Sequence, residues 1–447
     1  MNKINQPISV SLIIKHAAIL TLDKNHSVIE NGAIAIDNDT IVAIGKTGDI
    51  LQNYQSEQVI DASDCIVIPG LINAHTHMPM TYFKGLADDL PLDKWLNGFI
   101  WPLEGKLVNY NFVYDATLHG AAEMIKNGIT LANDMYFEGD AMAKALTKAG
   151  LRCIIGDPVI GDRVKEKDNV YLVGQDAIAN RIKYKDNPLV DFSLAPHAIY
   201  SNSKPILEKC AEVALDNDLL VHIHISEADW EKPDCIEKYG KKPVEFLNDI
   251  GLLKSKIVLA HGIYVDEEEM DILAANNASI AICTESNLKL ANGFAPLKDY
   301  LKHKVRCCFA TDGVASNNNL DLLAELDFNA KIHKNLSGDP TFLPAEQMLS
   351  MATIESAKAI HKEHELGSIE VGKKADIVIL DCNSVQAQPM YNPYSQVIYS
   401  LGGRAVRDVV INGEMVLKDK KLTKLDENEL ITKAKEYRTK ILNELKQ

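Results

Sequence analysis

The pattern of apolar and polar positions changes character twice along the chain. Up to residue 68 the apolar runs are short and strand-like. Ser9–Ile14, Ala17–Leu22, Gly32–Ile36 and Ile41–Gly45 carry them, and Asp37-Asn38-Asp39-Thr40 supplies a turn between the last two. From about 69 to 365, apolar runs alternate with amphipathic stretches of helical period such as 111–127, 205–216, 266–276 and 320–334. Eight runs stand out, ending near His75, Asp134, Gly156, His197, His224, His261, Cys283 and Asp312. Beyond 366 the pattern returns to strands, with Gly372–Leu380 and Val406–Val416, the latter containing the tight-turn pair Asn412-Gly413. The end of the chain reads as a helix: Asp426 is a candidate N-cap with Glu429 three residues on, and Leu430, Ala434, Tyr437, Ile441 and Leu445 form its stripe.

Alternating strand and helix implies parallel strands joined by right-handed crossovers. Eight such units predict an α/β fold, a closed (β/α)8 TIM barrel. An open doubly wound sheet is the alternative, but no Gly-rich phosphate fingerprint accompanies these strands. The flanking strands are too few on either side to form a core alone. They are therefore expected to combine into one small β-sandwich domain from both chain ends. The expected division is 1–68 plus 366–420 for that domain, 69–365 for the barrel, and 421–447 for the C-terminal helix.

Composition narrows the field only a little. The 447 residues are 46% hydrophobic and 24% charged, an ordinary globular balance. A net charge of −15 argues against nucleic acid or an anionic membrane as partner, because both reward a basic face. It leaves room for a small-molecule substrate such as a nucleoside. The eight cysteines form no C-x-x-C pair, which points to reduced thiols and a cytoplasmic protein. No basic-then-apolar leader and no apolar run near the membrane-spanning length is present in the sequence given.

The chemistry gathers at strand ends. In Ala74-His75-Thr76-His77, side chains two apart on a strand point the same way, so both imidazoles project together. Two converging imidazoles are half of a divalent-metal shell. His197, His224, His261 and Asp312 close later strands, where a (β/α)8 barrel places its catalytic groups. Polar side chains in buried strands carry a desolvation cost unless paired or metal-bound. Their recurrence at one end of successive strands is not what packing alone produces.

These residues carry a resemblance. Pro69–His77, His222-Ile223-His224-Ile225-Ser226-Glu227, Leu259-Ala260-His261-Gly262 and Thr311-Asp312-Gly313 resemble the amidohydrolase superfamily over nearly the full chain. Trp101-Pro102-Leu103-Glu104, Ala195–Tyr200 and Thr311–Asn318 are most similar to its 5'-methylthioadenosine/S-adenosylhomocysteine deaminases. The resemblance implies one divalent metal, Zn2+ with Fe2+ as the alternative, on His75, His77, His224 and Asp312. It implies that Asp312 takes the proton of the attacking water, that His261 orients it, and that Glu227 protonates the adenine ring. Glu104 is expected at the ribose, His197 at the nucleoside, Ser316 at the distal tail, and Arg152 or Arg163 at a homocysteine carboxylate. His222 is expected to support the ligands, and Trp101 either stacks on the base or packs the loop. The Asp88–Trp95 loop, following the first metal-binding strand, is expected to act as a lid. A homo-oligomer is expected. Competing readings are a guanine or cytosine deaminase or a triazine chlorohydrolase on the same scaffold, and an inactive scaffold protein of this fold.

Overall fold

In the computed structural model, residues 6–161 and 170–446 are described. Eight parallel strands form the barrel. We label them β1 (Leu71–Thr76), β2 (Ile129–Met135), β3 (Arg152–Val159), β4 (Val190–Pro196), β5 (Val221–Ile225), β6 (Ile257–His261), β7 (Ser279–Ile282) and β8 (Arg306–Phe309). Each pairs with its sequence neighbour in unbroken order from β8 back to β1. The strands are buried on both faces, which is why they read as near-continuous apolar runs rather than alternating ones.

The seam between β1 and β8 is closed largely by side chains. Asn73 Nδ2 donates to Thr311 Oγ1 at 2.7 Å, and the Thr311 amide donates to Asn73 Oδ1 at 3.0 Å. The Asp312 amide donates to the His75 carbonyl at 3.1 Å. These bonds tie the loop after β8 to the end of β1, and so bring Asp312 beside His75.

The β-sandwich region expected from the two chain ends is one connected nine-stranded sheet. Its joint is the strand Cys65–Pro69, which pairs antiparallel with Ile377–Asp381 and parallel with Leu12–Leu20. Leu12, Ile14, Ile34, Ile36, Ile377 and Ile379 fill one apolar layer, while Ile13, Ala33, Ala35 and Ile50 fill another. Asn412-Gly413 turns the chain between Val406–Ile411 and Glu414–Lys418 with both φ angles positive, the geometry an Asn-Gly pair tolerates. The sheet continues to Lys421–Leu422, two residues past the boundary expected for the small domain.

Gly70 passes the chain directly from that sheet into β1. A Cβ there would lie 2.0 Å from Thr130 Oγ1, so only glycine fits. The strand that carries His75 is thereby anchored to the small domain at its start. The C-terminal helix Glu427–Glu444, capped by Asp426, packs on Tyr110–Lys126. Its Tyr437 stacks on Tyr82, in the turn that follows His77, with ring centroids 4.7 Å apart. Among the described residues, no helix is long and apolar enough to cross a membrane.

Candidate metal centre and active site

The C-terminal ends of β1, β5, β6 and β8 converge on one cluster. His75 Nε2 and His77 Nε2 lie 3.2 and 3.4 Å from the same oxygen, Oδ1 of Asp312. His224 Nε2 is 3.3 Å from His77 Nε2. Around this cluster every ring is held by its other nitrogen. His75 Nδ1 meets His222 Nε2 at 2.7 Å, His77 Nδ1 the Met135 carbonyl at 2.7 Å, and His224 Nδ1 the His197 carbonyl at 2.7 Å. With Nδ1–H donating outward, each Nε2 presents a lone pair to the centre, the arrangement that ligating imidazoles require.

Electrostatics agree. Burial holds the His75 imidazole down to about 4 and pushes that of His224 well below its usual value, aided for His224 by the neighbouring rings. Both are neutral donors at pH 7. Burial opposes ionisation of Asp312, but the His75 ring, its Nε2 3.2 Å from Oδ1, and the surrounding His261 and His77 rings hold its carboxyl well below the usual range. Ser286 and Ser316 hydroxyls donate to Asp312 Oδ2 at 2.6 and 2.8 Å, and the Gly313 amide to Oδ1 at 2.6 Å. His75 Nε2 is buried and finds no hydrogen-bond partner of its own. Three neutral imidazoles, one carboxylate and that orphaned nitrogen fit a divalent metal ion. His75, His77 and Asp312 form one group whose ligand atoms lie within 4.8 Å of one another, and His75, His224 and His261 form another.

Three residues at the site occupy the left-handed region: Ser226 (φ 47°) and Asp312 (φ 60°) past their strands and His261 (φ 72°) at the end of β6. Non-glycine residues in that region persist where the surroundings over-determine them, typically at functional sites.

A cavity opens over the cluster. Its walls are largely apolar, including Met80, Leu92, Trp95, Ile100, Trp101 and Phe137. Glu227 and Glu104 both line it. Glu227 Oε2 lies 3.6 Å from His261 Nε2, and Asn292 Nδ2 donates to Glu227 Oε1 at 3.0 Å. Burial raises the Glu227 carboxyl to about 8, with the Asp312 charge adding and Asn292 opposing. A carboxyl so raised is an acid at neutral pH. Glu104 Oε1 accepts from the Tyr136 hydroxyl at 2.9 Å. His261 Nδ1 faces Asn287 Oδ1 at 2.8 Å, which leaves Nε2 toward the cavity as an acceptor.

Residues 66–416 match the Amidohydrolase family. The chain belongs to the amidohydrolase family. This amidohydrolase is 40% identical over 435 residues to the 5-methylthioadenosine/S-adenosylhomocysteine deaminase of Thermodesulfovibrio yellowstonii, covering 97% of this chain and 99% of that one. It is 38% identical over 399 residues to the 5'-deoxyadenosine deaminase of Methanothermobacter thermautotrophicus, covering 89% and 92%. Among solved structures it is similar to an adenosine deaminase from Xanthomonas campestris with bound zinc, with a TM-score of 0.94 and 34% identity, covering 98% and 100%.

The structure brings His77, His197, His224, Glu227, His261, Asp312 and Glu104 to one cavity, with His75 fully buried in the cluster beside it. Trp101 lines it with its ring edge toward His197, 6.1 Å between centroids. Leu92 and Trp95 of the expected lid also line it, and Asp88 at the start of that loop pairs with Lys289 Nζ at 2.6 Å. Two expectations are corrected. Arg152 lies at the start of β3, roughly 23 Å of strand from the C-terminal end at ~3.3 Å per residue. There its guanidinium is buried against Asp376 Oδ2 (2.8 Å), the Pro188 carbonyl (2.6 Å) and Asn412 Oδ1 (2.7 Å). It joins barrel to small domain and has no access to substrate. Ser316 is buried with its hydroxyl on Asp312, so it acts on the carboxylate rather than on a substrate tail. Arg163 lies outside the described residues.

Sequence reasoning passed over Ser286, Asn287, Asn292, Tyr136 and Glu231. Ser286 and Asn287 follow β7 in a polar run, Thr284-Glu285-Ser286-Asn287, and the strand-end rule could have found them. Tyr136 directly follows β2 and the same rule could have found it, whereas Asn292 and Glu231 carry no such signal, since each acts through a neighbour brought close by folding.

Proposed function

We propose that this amidohydrolase is a hydrolytic deaminase of 5'-substituted adenosines, converting the adenine of 5'-methylthioadenosine and S-adenosylhomocysteine to hypoxanthine with release of ammonia. The observation that carries this reading is Glu227: a buried carboxyl 3.6 Å from His261 Nε2, held by Asn292 in one cavity with Glu104 and beside the His75, His77 and Asp312 cluster. The names of the deaminase relatives support the substrate class.

His75, His77, His224 and Asp312 would hold a divalent ion, and such an ion would make a water acidic enough to act as nucleophile near neutral pH. Three imidazoles with one carboxylate favour zinc, and iron(II) accepts the same set. The protein's own groups do the rest. Glu227 delivers its proton to N1 of the adenine, which makes C6 electrophilic. Asp312 accepts the proton of the water that adds to C6, and His261 Nε2 orients that water by accepting a hydrogen bond. Asp312 returns its proton to the exocyclic nitrogen, the C6–N bond breaks as ammonia leaves, and C6=O of hypoxanthine forms as the C6 hydroxyl gives its proton back to Glu227. Asn292 holds Glu227 toward the ring. Glu104, fixed by Tyr136, accepts from ribose hydroxyls, and the apolar wall of Trp95, Trp101 and Phe137 packs the base and excludes water.

The wider proposal places the enzyme in the cytoplasm as a homo-oligomer, and the eight buried, unpaired cysteines support a reducing compartment. The test is ammonia release together with the ultraviolet change from adenine to hypoxanthine on zinc-loaded protein. The panel is methylthioadenosine, S-adenosylhomocysteine, 5'-deoxyadenosine, adenosine, guanine and cytosine, with His224→Ala and Glu227→Gln as controls. Turnover of the adenosines that disappears in both variants supports the reading. Turnover of guanine or cytosine alone removes Glu104 and His197 from their proposed roles.

A further inference from the structure

We propose that Glu231 is a positioning residue for the proton donor: its carboxylate gathers the backbone amides of Ser226, Glu227 and Ala228, and thereby fixes where the Glu227 carboxyl meets the substrate. The proposal rests on the reading of Glu227 given above.

Glu231 opens the helix Glu231–Tyr239 but turns its side chain back over the loop that follows β5. It is only 6% exposed. Its Oε2 accepts the Ser226 amide at 3.1 Å, and its Oε1 accepts the Glu227 amide at 2.8 Å and the Ala228 amide at 3.0 Å. Three consecutive N–H groups converging on one carboxylate make a concavity for an anion, here filled by the protein itself. Burial pushes the Glu231 carboxyl up to about 7 while the Ala228 and Glu227 amides oppose that rise, and bonds to its ionised form are shorter and stronger than to a neutral acceptor.

The same loop is gripped from its other side. The Ser226 carbonyl accepts the Ile263 amide at 2.9 Å and the Tyr264 amide at 3.0 Å, from the segment just past His261. Ser226 itself sits in the left-handed region, a conformation serine adopts only under constraint. The peptide preceding the proton donor is therefore held by its N–H from Glu231 and by its C=O from the β6 side. Asn292 sets the carboxyl end of Glu227, while Glu231 sets its backbone end. A displacement of about 1 Å at a reacting group lowers rate by ~10²-fold. Loss of the Glu231 anion relaxes the backbone end of that arrangement and leaves the ligand His224, held by the His197 carbonyl, in place.

The test is a double-variant cycle on metal-loaded protein with Glu231→Gln, Glu227→Gln and both together. Gln keeps the size of the side chain but removes the charge and turns one acceptor into a donor that faces an amide. Expected for Glu231→Gln is kcat lowered ~10–100-fold with KM changed less than about 3-fold and metal content unchanged. The double variant is expected to be no slower than Glu227→Gln within about 3-fold, because the group being positioned is already gone. Wild-type kcat in Glu231→Gln, a multiplicative loss in the double variant, or loss of metal would each overturn the proposal. Amide hydrogen exchange of Ser226, Glu227 and Ala228 in the wild-type protein checks the clamp without relying on any variant folding. Slow exchange is expected at all three, and exchange at the rate of an open loop overturns it. A wild-type enzyme that deaminates no nucleoside fails the functional reading and this proposal together. A wild-type enzyme that does so, with Glu227→Gln inactive and Glu231→Gln unaffected, fails this proposal alone.

Discussion

His222 Nε2 lies 2.7 Å from His75 Nδ1, and the pair is buried side by side in the barrel interior. By accepting a hydrogen bond from His75 Nδ1, His222 fixes the tautomer that leaves the His75 Nε2 lone pair facing the cluster. Burial and the nearby imidazoles push the His222 ring well below its usual range, so it stays a neutral acceptor. Such supporting partners typically contribute 10–100-fold in metal affinity, and His222→Ala is expected to weaken metal binding by about that factor. Competition with a chelator measures it, and circular dichroism checks that the barrel is intact. Unchanged affinity would remove His222 from this role.

Glu227 is raised by burial first and by Asp312 second, to about 8. The acid form is the proton donor, so activity is expected to fall as pH rises through about 8. Glu227→Gln cannot donate: its kcat is expected to drop by ~10²–10⁴-fold, and that alkaline limb to vanish. A pH–rate profile whose alkaline limb is unchanged in the variant would assign that limb to another group.

Asp134 closes β2 with its Oδ2 accepting the Met78 amide at 2.7 Å and its Oδ1 buried without a partner. Burial raises its carboxyl to about 8, only partly opposed by that amide, against 3.8 in the unfolded chain. Between those values the folded protein keeps a proton that the unfolded chain has released. Its contribution is therefore fully present below about 4 and lost as pH rises through about 8. Thermal melts of metal-free protein should show Asp134→Asn gaining on the wild type between pH 5 and pH 8. Parallel melting curves across that range would show that the carboxyl is ionised in both states.

Arg152 and Asp376 form a buried pair at 2.8 Å that joins β3 to the small domain, and the Asn412 amide also donates to Asp376 at 2.8 Å. Arg152→Ala leaves a buried carboxylate without its cation, which typically destabilises by about 3–5 kcal/mol. A fall in denaturant midpoint is expected, with KM for S-adenosylhomocysteine unchanged in the folded fraction. A selective rise in that KM would return Arg152 to the substrate.

Much of the site was legible because barrel chemistry obeys a positional rule. His75, His77, His197, His224, His261 and Asp312 each close an apolar strand, and local period alone marks where strands end. Arg152 also adjoins a strand, but its partners Asp376 and Asn412 lie more than two hundred residues away, so no local pattern announces that it is taken. Ser316 stands four residues past Asp312 in a short helix, where turning inward onto Asp312 or outward to a ligand is a matter of packing. Asn292 and Glu231 matter only through Glu227.

The sequence by itself determined the eight strands, the return of the chain to one β region at both ends, and the residue types offered at the barrel's C-terminal mouth. Those follow from period, turn chemistry and chain order, which are local. Only the tertiary structure decided that Asn73 and Thr311 close the seam and that His75, His77, His224 and Asp312 meet within a few ångströms. It also decided that Glu227 is buried beside Asp312, which raises its carboxyl. Those depend on burial and on distances between residues far apart in sequence, and both exist only once the barrel has closed.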